Sequence, residues 1–158
     1  MNFTTPHIAV VGAGAMGGLF GGLLAEGGLR VTLIDAWPDH IAAIRANGLR
    51  MVGFGGDRFI PVSATTDPRE VPEADVVFFQ CKAYANEAAA ESVRHLFGHG
   101  TVAISFQNGL GNEARLAAVL GEAAVIGGLT AQAGLVESPG VVFFHVLVST
   151  SGAIIAAS

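Results

Sequence analysis

The run Ile8-Ala9-Val10-Val11-Gly12-Ala13-Gly14-Ala15-Met16-Gly17 constrains this chain more than any other stretch. Apolar residues suited to a buried strand give way to glycines, and the sequence then restarts as a helix. Strand, turn and helix in that order near the N-terminus predict a dinucleotide site. Gly12 permits the tight turn, Gly14 lets the backbone approach a pyrophosphate, and Gly17 lets the helix pack closely on the strand. Ala13, Ala15 and Met16 complete the loop, and phosphates there would face the unpaired N–H groups and positive dipole end of the helix. An acidic residue, Asp35, follows about 20 residues on, the context that separates this fingerprint from a chance glycine pattern. The competing reading is a glycine-rich loop that only packs a helix on a sheet.

A chain of 158 residues fits one domain and is short for most two-domain dehydrogenases. Hydrophobic residues make up 51% and charged residues 13%, which predicts strands buried on both faces. The net charge of −5, with no basic cluster, argues against partners such as nucleic acid or an anionic membrane. Cys81 is the single cysteine, which rules out an internal disulfide and suits a reducing compartment. Met1 to Pro6 lacks the basic start and apolar core of a signal peptide, so the expectation is a cytoplasmic protein. The uncharged tail from Ser138 is divided by Pro139, Gly140 and the 149–152 Ser-Thr-Ser-Gly run, and reads as a hairpin rather than a membrane span.

Along the chain, strands are expected at Pro6–Val11, Arg30–Ile34, Asp75–Gln80, Thr101–Phe106 and Ala123–Gly127. Helices are expected from Ala15 to Glu26 before Gly27-Gly28, from Pro38 to Asn47-Gly48, from Asn86 to Phe97, and from Asn112 to Leu120. Met51-Val52 and Phe59-Ile60, around a Gly-Phe-Gly-Gly-Asp turn, predict an inserted hairpin. Val141–Val148 and Ala153–Ala156 read as two further strands. Repeated strand–helix units imply an α/β fold: a doubly wound, Rossmann-type, mostly parallel sheet with the inserted hairpin and a C-terminal β-hairpin.

Asp35 would end the second strand, where a carboxylate can accept from both adenosine-ribose hydroxyls of NAD and repel a 2′-phosphate. It also suits the start of a turn or a helix cap. Arg45 and Arg58 are the cations that could fold back toward it, and Trp37 suits either an adenine face or ordinary packing. Lys82 is the only lysine and follows a buried strand, the place where open α/β sheets bind ligands. A cation there can pair with a cofactor phosphate or a substrate carboxylate, and can assist electrostatically as charge develops on a reduced carbonyl. Gln107-Asn108-Gly109 repeats this logic one strand later, or is a plain turn with Asn112 as helix cap. The five histidines show no metal-ligand spacing, so no metal is expected.

Gly12-Ala-Gly-Ala-Met-Gly17, Cys81-Lys82-Ala83-Tyr84, Gln107-Asn108-Gly109-Leu110-Gly111 and the Gly128-Leu-Thr130 to Gly140 loop together resemble the ketopantoate reductase family, the 2-dehydropantoate 2-reductases. The match runs in order over essentially the whole chain. It implies NADPH-dependent reduction of the 2-keto acid ketopantoate to pantoate, on the route to pantothenate. By that resemblance Lys82 and Asn108 line the cofactor and substrate pocket, and Gly134 approaches the nicotinamide end. Family members carry a second, mostly helical domain that supplies the general-acid lysine, and no such domain is expected within these 158 residues. With Lys82 matched to the cofactor side, no catalytic acid is expected here, so the chain should bind cofactor with little or no turnover. Asp35 stands where many members accommodate the 2′-phosphate, which leaves NADH, and a different 2-keto acid, open. The partners expected are the helical domain, in the same or another chain, and a second copy paired through an exposed apolar 141–148 hairpin. The alternative from another class is a non-catalytic dinucleotide-binding regulatory module.

Overall fold

The computed structural model describes residues 5–146. Its main sheet has six parallel strands in the order β5-β2-β1-β6-β7-β8. These are β1 (His7–Val11), β2 (Arg30–Ile34), β5 (Ser63–Thr65), β6 (Ala74–Phe79), β7 (Phe97–Ser105) and β8 (Val125–Gly127). The winding reverses at β1, with β2 in register on one side (Val11 opposite Ile34) and β6 on the other (Val11 opposite Phe79). A cleft outside the carboxyl ends of β1 and β6 is therefore the place for a ligand.

Successive side chains of β1 point to opposite faces, and both faces are covered. Ile8 and Val10 join a core with Leu19, Leu33, Ile41, Ile44, Met51 and Val142, while Ala9 and Val11 join one with Val77, Phe79, Val93, Leu96 and Leu116. The first core lies beneath α1 (Ala15–Glu26) and α2 (Pro38–Asn47), and the second beneath α3 (Asn86–Ser92) and α4 (Asn112–Leu120).

A second sheet, in the order β4-β3-β10-β9, packs on the far side of α1. It comprises β3 (Leu49–Gly53), β4 (Arg58–Ile60), β9 (Gln132–Ser138) and β10 (Val141–Val146). Helix α1 is squeezed between the two sheets, and its glycines make room for both. A Cβ on Gly21 would strike Leu33 of the main sheet, while one on Gly18 would come within 2.8 Å of Val142 and one on Gly22 within 2.7 Å of Met51 Sδ.

The structure corrects several expectations. The hairpin partner of β10 is β9, in the segment read as a loop, with Phe144 opposite Gly134. The expected strand at Ala153–Ala156 lies outside the described residues. Val142 and Phe144 are buried rather than exposed, because that face of the hairpin packs inside the chain. The inserted hairpin exists as β3–β4, but β3 also pairs in parallel with β10, which ties the insertion to the C-terminal strands. Helix α3 ends at Ser92, a single 3-10 turn spans Arg94–Leu96, and β7 already begins at Phe97. Among the described residues no helix is long and apolar enough to cross a membrane.

Candidate cofactor site

The three loop glycines have three different physical reasons. Gly12 has φ +91°, its N–H donates to the Ile34 carbonyl (2.8 Å), and a Cβ there would lie 2.7 Å from Cys81 Cα. Only glycine fits so close to the exit of β6 at that φ. A Cβ on Gly17 would overlap the Gly12 carbonyl oxygen, so α1 rests directly on the loop. Around Gly14, by contrast, a Cβ would meet nothing within 4 Å. Gly14 occupies the N-cap position of α1 without a side-chain cap, and the first helical turn carries no acidic residue. Those N–H groups face open space with the positive end of the helix behind them, which is the donor set a phosphate requires.

The loop is held from the side by Asp35. One of its carboxylate oxygens accepts from the Ala13 N–H (2.7 Å) and the other from the Trp37 N–H (2.9 Å). Each oxygen retains a free lone pair, and the residue lines the cleft. The turn-forming and ribose-binding readings of Asp35 are thus compatible. Neither expected cation approaches it: Arg45 donates to the Ala64 carbonyl (2.6 Å) and to Glu70 (3.0 Å), and Arg58 pairs with Glu26 (2.6 Å). Trp37 stacks on His40, with ring centroids 5.1 Å apart at 12°, and does not line the cleft.

The cleft has two lobes. The larger, about 610 Å³, runs from Asp35 past Gly12 and Gly14 to Lys82 and Tyr84. The smaller, about 210 Å³, is lined by Lys82, Phe106, Gln107, Asn108, Thr130 and Gln132. Met16, Gln80, Cys81 and Lys82 border both. Lys82 therefore stands at the junction, exposed, and among the described residues it has no carboxylate partner.

A buried amide network fixes the two strand ends that carry Lys82 and Asn108. Gln107 Nε2 donates to the Cys81 carbonyl (2.6 Å) and to Asn86 Oδ1 (2.7 Å). Asn86 Nδ2 donates to Asn112 Oδ1 (3.0 Å), and Asn112 Nδ2 donates to the carbonyls of Asn108 and Gly109 (both 3.1 Å). Asn112 is not the helix cap expected of it; Gly111, in the left-handed region at φ +81°, takes that position. Burial pushes the Cys81 thiol above its ordinary pKa, which fits an unreactive thiol at neutral pH.

Gly134 packs against Ala15, with a Cβ there 3.4 Å from the Ala15 carbonyl oxygen, and the lobe is lined by its strand neighbour Gln132 instead. Gln132 and Gln80 were not singled out from the sequence, which offers no signal for either. Each has a buried side-chain atom without a partner, Gln132 Oε1 and Gln80 Nε2. No group of three or more His, Cys, Asp or Glu among the described residues could hold a metal.

Comparison with known proteins places this geometry. The family model described as "Ketopantoate reductase PanE/ApbA" matches residues 8–154. The 2-dehydropantoate 2-reductase of Pyrococcus abyssi is 43% identical over 136 residues, and that of Halobacterium salinarum 37% over 137. These alignments cover 85% and 86% of this chain but only 43% and 45% of the relatives, so the chain spans less than half their length. The crystal structure of a PanE/ApbA family ketopantoate reductase from Ralstonia eutropha superposes with TM-score 0.82 at 36% identity, over 88% of this chain and 46% of that one. A ternary D-mandelate dehydrogenase structure with NADH and anilino(oxo)acetate superposes with TM-score 0.83 at 27% identity, over 88% and 45%. By its motifs, its fold and a match along most of its length, this chain belongs to the ketopantoate reductase family.

Proposed function

We propose that this chain is the nucleotide-binding half of an NAD(P)H-dependent 2-keto acid reductase, and that it takes NADH in preference to NADPH. The carrying observation is the cleft itself: uncapped helix donors around the open Gly14, with the Asp35 carboxylate at one end and Lys82 at the junction of the lobes. The residues fit the cofactor. The Gly12–Gly14 loop and the α1 N-terminus would hold the pyrophosphate, Asp35 the adenosine ribose, and the smaller lobe the nicotinamide end beside the substrate.

When bound, the dinucleotide supplies the hydride. The chain supplies orientation and charge: Lys82 neutralises a phosphate or a substrate carboxylate, and the Asn108 amide can donate to a polar substrate group. Lys82, the sole lysine, is assigned to the cleft junction, and the family resemblance implies that the proton for the product hydroxyl comes from a lysine of a second domain. Ketopantoate is the substrate suggested by the relatives' names.

The nucleotide preference follows from charge. A 2′-phosphate carries close to two negative charges, and within roughly 4 Å of Asp35 it would be opposed by about 2 kcal/mol even at the dielectric of water. The arginine of α2 is not free to offset it, since Arg45 is engaged by Ala64 and Glu70, and Arg30 stands at the end of β2 opposite to Asp35. Calorimetric titration should find NADH bound at least about tenfold more tightly than NADPH, with Asp35→Asn narrowing the gap mainly by improving NADPH binding. Equal affinities in the unaltered chain would refute the preference, and absence of binding by either nucleotide would refute the cofactor site. Mixing the chain with NADH and ketopantoate should give no turnover; measurable NADH oxidation would refute the half-enzyme reading.

A further inference from the structure

We propose that His40 is a positioning residue that locks the phosphate loop to the turn of the β9–β10 hairpin, so that both ends of the cofactor cleft move as one unit. The proposal rests on reading the cleft as a nucleotide site. His40 lies on α2 and is completely buried. The Gly140 N–H donates to its Nδ1 (2.9 Å), and a backbone N–H can only donate, so Nδ1 carries no proton. Nε2 therefore bears the hydrogen and donates to the Ala13 carbonyl (2.9 Å).

Two consequences follow for the site. Both backbone groups of Ala13 are held by side chains, the N–H by Asp35 and the C=O by His40. The loop between Gly12 and Gly14 is thereby clamped from two neighbouring elements without filling the space a phosphate would enter. The other ring nitrogen reaches 100 residues along the chain to a turn that has nowhere to slide. A Cβ on Gly140 would lie 2.8 Å from Ala43 Cβ, and the Gly140 carbonyl accepts from the Arg50 N–H (2.9 Å). The hairpin so anchored carries Gln132 into the smaller lobe and sets Gly134 against Ala15 at the start of α1. Trp37, stacked on the imidazole, closes the outer side.

The two bonds can be separated by substitution. The Asn amide oxygen sits near the Nδ1 position and can accept from Gly140, whereas the Gln amide nitrogen sits near the Nε2 position and can donate to Ala13. Binding is measured with NADH and with ADP-ribose, which lacks the nicotinamide, alongside amide hydrogen exchange of the free protein. His40→Ala should weaken both ligands about tenfold or more, the scale of one buried hydrogen bond. His40→Gln should keep ADP-ribose within about threefold while NADH falls about tenfold and the Gly140 amide exchanges faster. His40→Asn should protect the Gly140 amide yet weaken ADP-ribose about as much as His40→Ala does. Nitrogen NMR of the unaltered protein should show the Nε2–H tautomer. Folded His40 variants that bind as the unaltered chain does, or that lose both ligands equally whatever the replacement, would overturn the proposal. If the unaltered chain binds neither ligand, the cofactor reading falls first and His40's role with it.

Discussion

Gly14 and Gly17 lie three residues apart in one motif, yet replacing each by alanine should have opposite consequences. At Gly17 the new methyl would overlap the Gly12 carbonyl oxygen, a backbone atom with no rotamer to change. Overpacking costs about 1–3 kcal/mol, and an immovable neighbour puts Gly17→Ala at the upper end. Alanine regains about 1 kcal/mol of helix propensity, so the net loss should be about 2 kcal/mol. At Gly14 the methyl meets nothing within 4 Å and φ is −66°, which alanine tolerates. The poorer N-cap costs about 0.5–1 kcal/mol, so the fold should survive nearly unchanged. Binding should not, because the methyl enters the space where phosphate meets the helix N–H groups. Losing one charge-assisted hydrogen bond, worth about 1.5–3 kcal/mol, lowers affinity at least about tenfold. Urea unfolding and calorimetric NADH titration read the two effects separately. A Gly17→Ala protein as stable as the unaltered chain, or a Gly14→Ala protein that binds NADH normally, would refute the division of labour.

Other consequences are open to direct measurement. Asn86→Ala leaves Gln107 and Asn112 short of buried partners and should cost about 2–3 kcal/mol in urea unfolding; a double-mutant cycle with Asn112→Ala should show coupling above about 0.5 kcal/mol, and strict additivity would contradict the network. Because burial raises the Cys81 thiol pKa, alkylation by iodoacetamide should be slow at pH 7, accelerate above the ordinary thiol range and be suppressed by NADH; rapid, unprotected reaction would count against its place in the cleft. Asp67, held by the Arg69 guanidinium and backbone N–H, should titrate at about 2 by NMR. Its folded pKa is depressed, so whatever it contributes is present above the unfolded value and is lost as pH falls toward 2; Arg69→Ala should return the midpoint toward ordinary aspartate. In α1, Gly18→Ala meets the stiff, β-branched Val142, whereas Gly22→Ala meets the flexible ends of Met51 and Leu49, so the former should lower the unfolding midpoint more.

The elements that were legible from the sequence are those with local punctuation. Helix α1 stops at Gly27-Gly28, α2 starts at Pro38 and stops at Asn47-Gly48, and α4 is followed by Gly121; their limits agree with the sequence reading. Strands β5 and β9 carry no such marks. Ser63–Thr65 is three residues long with no apolar alternation, and is a strand because β2 presents an open edge to it. Gln132–Ser138 has a glycine where alternation would be read, and it is a strand because β10 lies beside it. The expected Ser-Thr-Ser-Gly turn at 149–152 lies outside the described residues, and the hairpin turn within them falls at Pro139-Gly140. That turn is set by a glycine whose N–H finds His40 and whose φ of +77° only glycine adopts readily.

At the site, Gly12, Gly14, Asp35 and Lys82 were legible and line the cleft, whereas Gln80 and Gln132, which line it too, and the residues that hold its walls were not. Gly12, Gly14, Asp35 and Lys82 announce themselves because phosphate, ribose and substrate charge demand particular chemistry at fixed offsets. His40 reaches Ala13 and Gly140, 27 and 100 residues away, and Asn86 reaches Gln107 and Asn112, 21 and 26 away, so nothing in their own neighbourhood marks them. Asn112 is marked in the sequence only as a helix cap, whereas its amide closes the local Asn108 and Gly109 carbonyls and meets Asn86. Asp35 belongs to both classes, and that explains why its two readings could not be separated in advance. Its carboxylate fastens Ala13 and Trp37, which leaves each oxygen one lone pair and sets a negative charge in the wall of the cleft. The two hydrogen bonds that shape the loop also hold that charge, so Asp35→Asn, which removes the charge together with one of the two acceptors, should free either the Ala13 or the Trp37 N–H. Amide exchange at those two positions, read beside the nucleotide titrations, tells loop loosening from loss of charge.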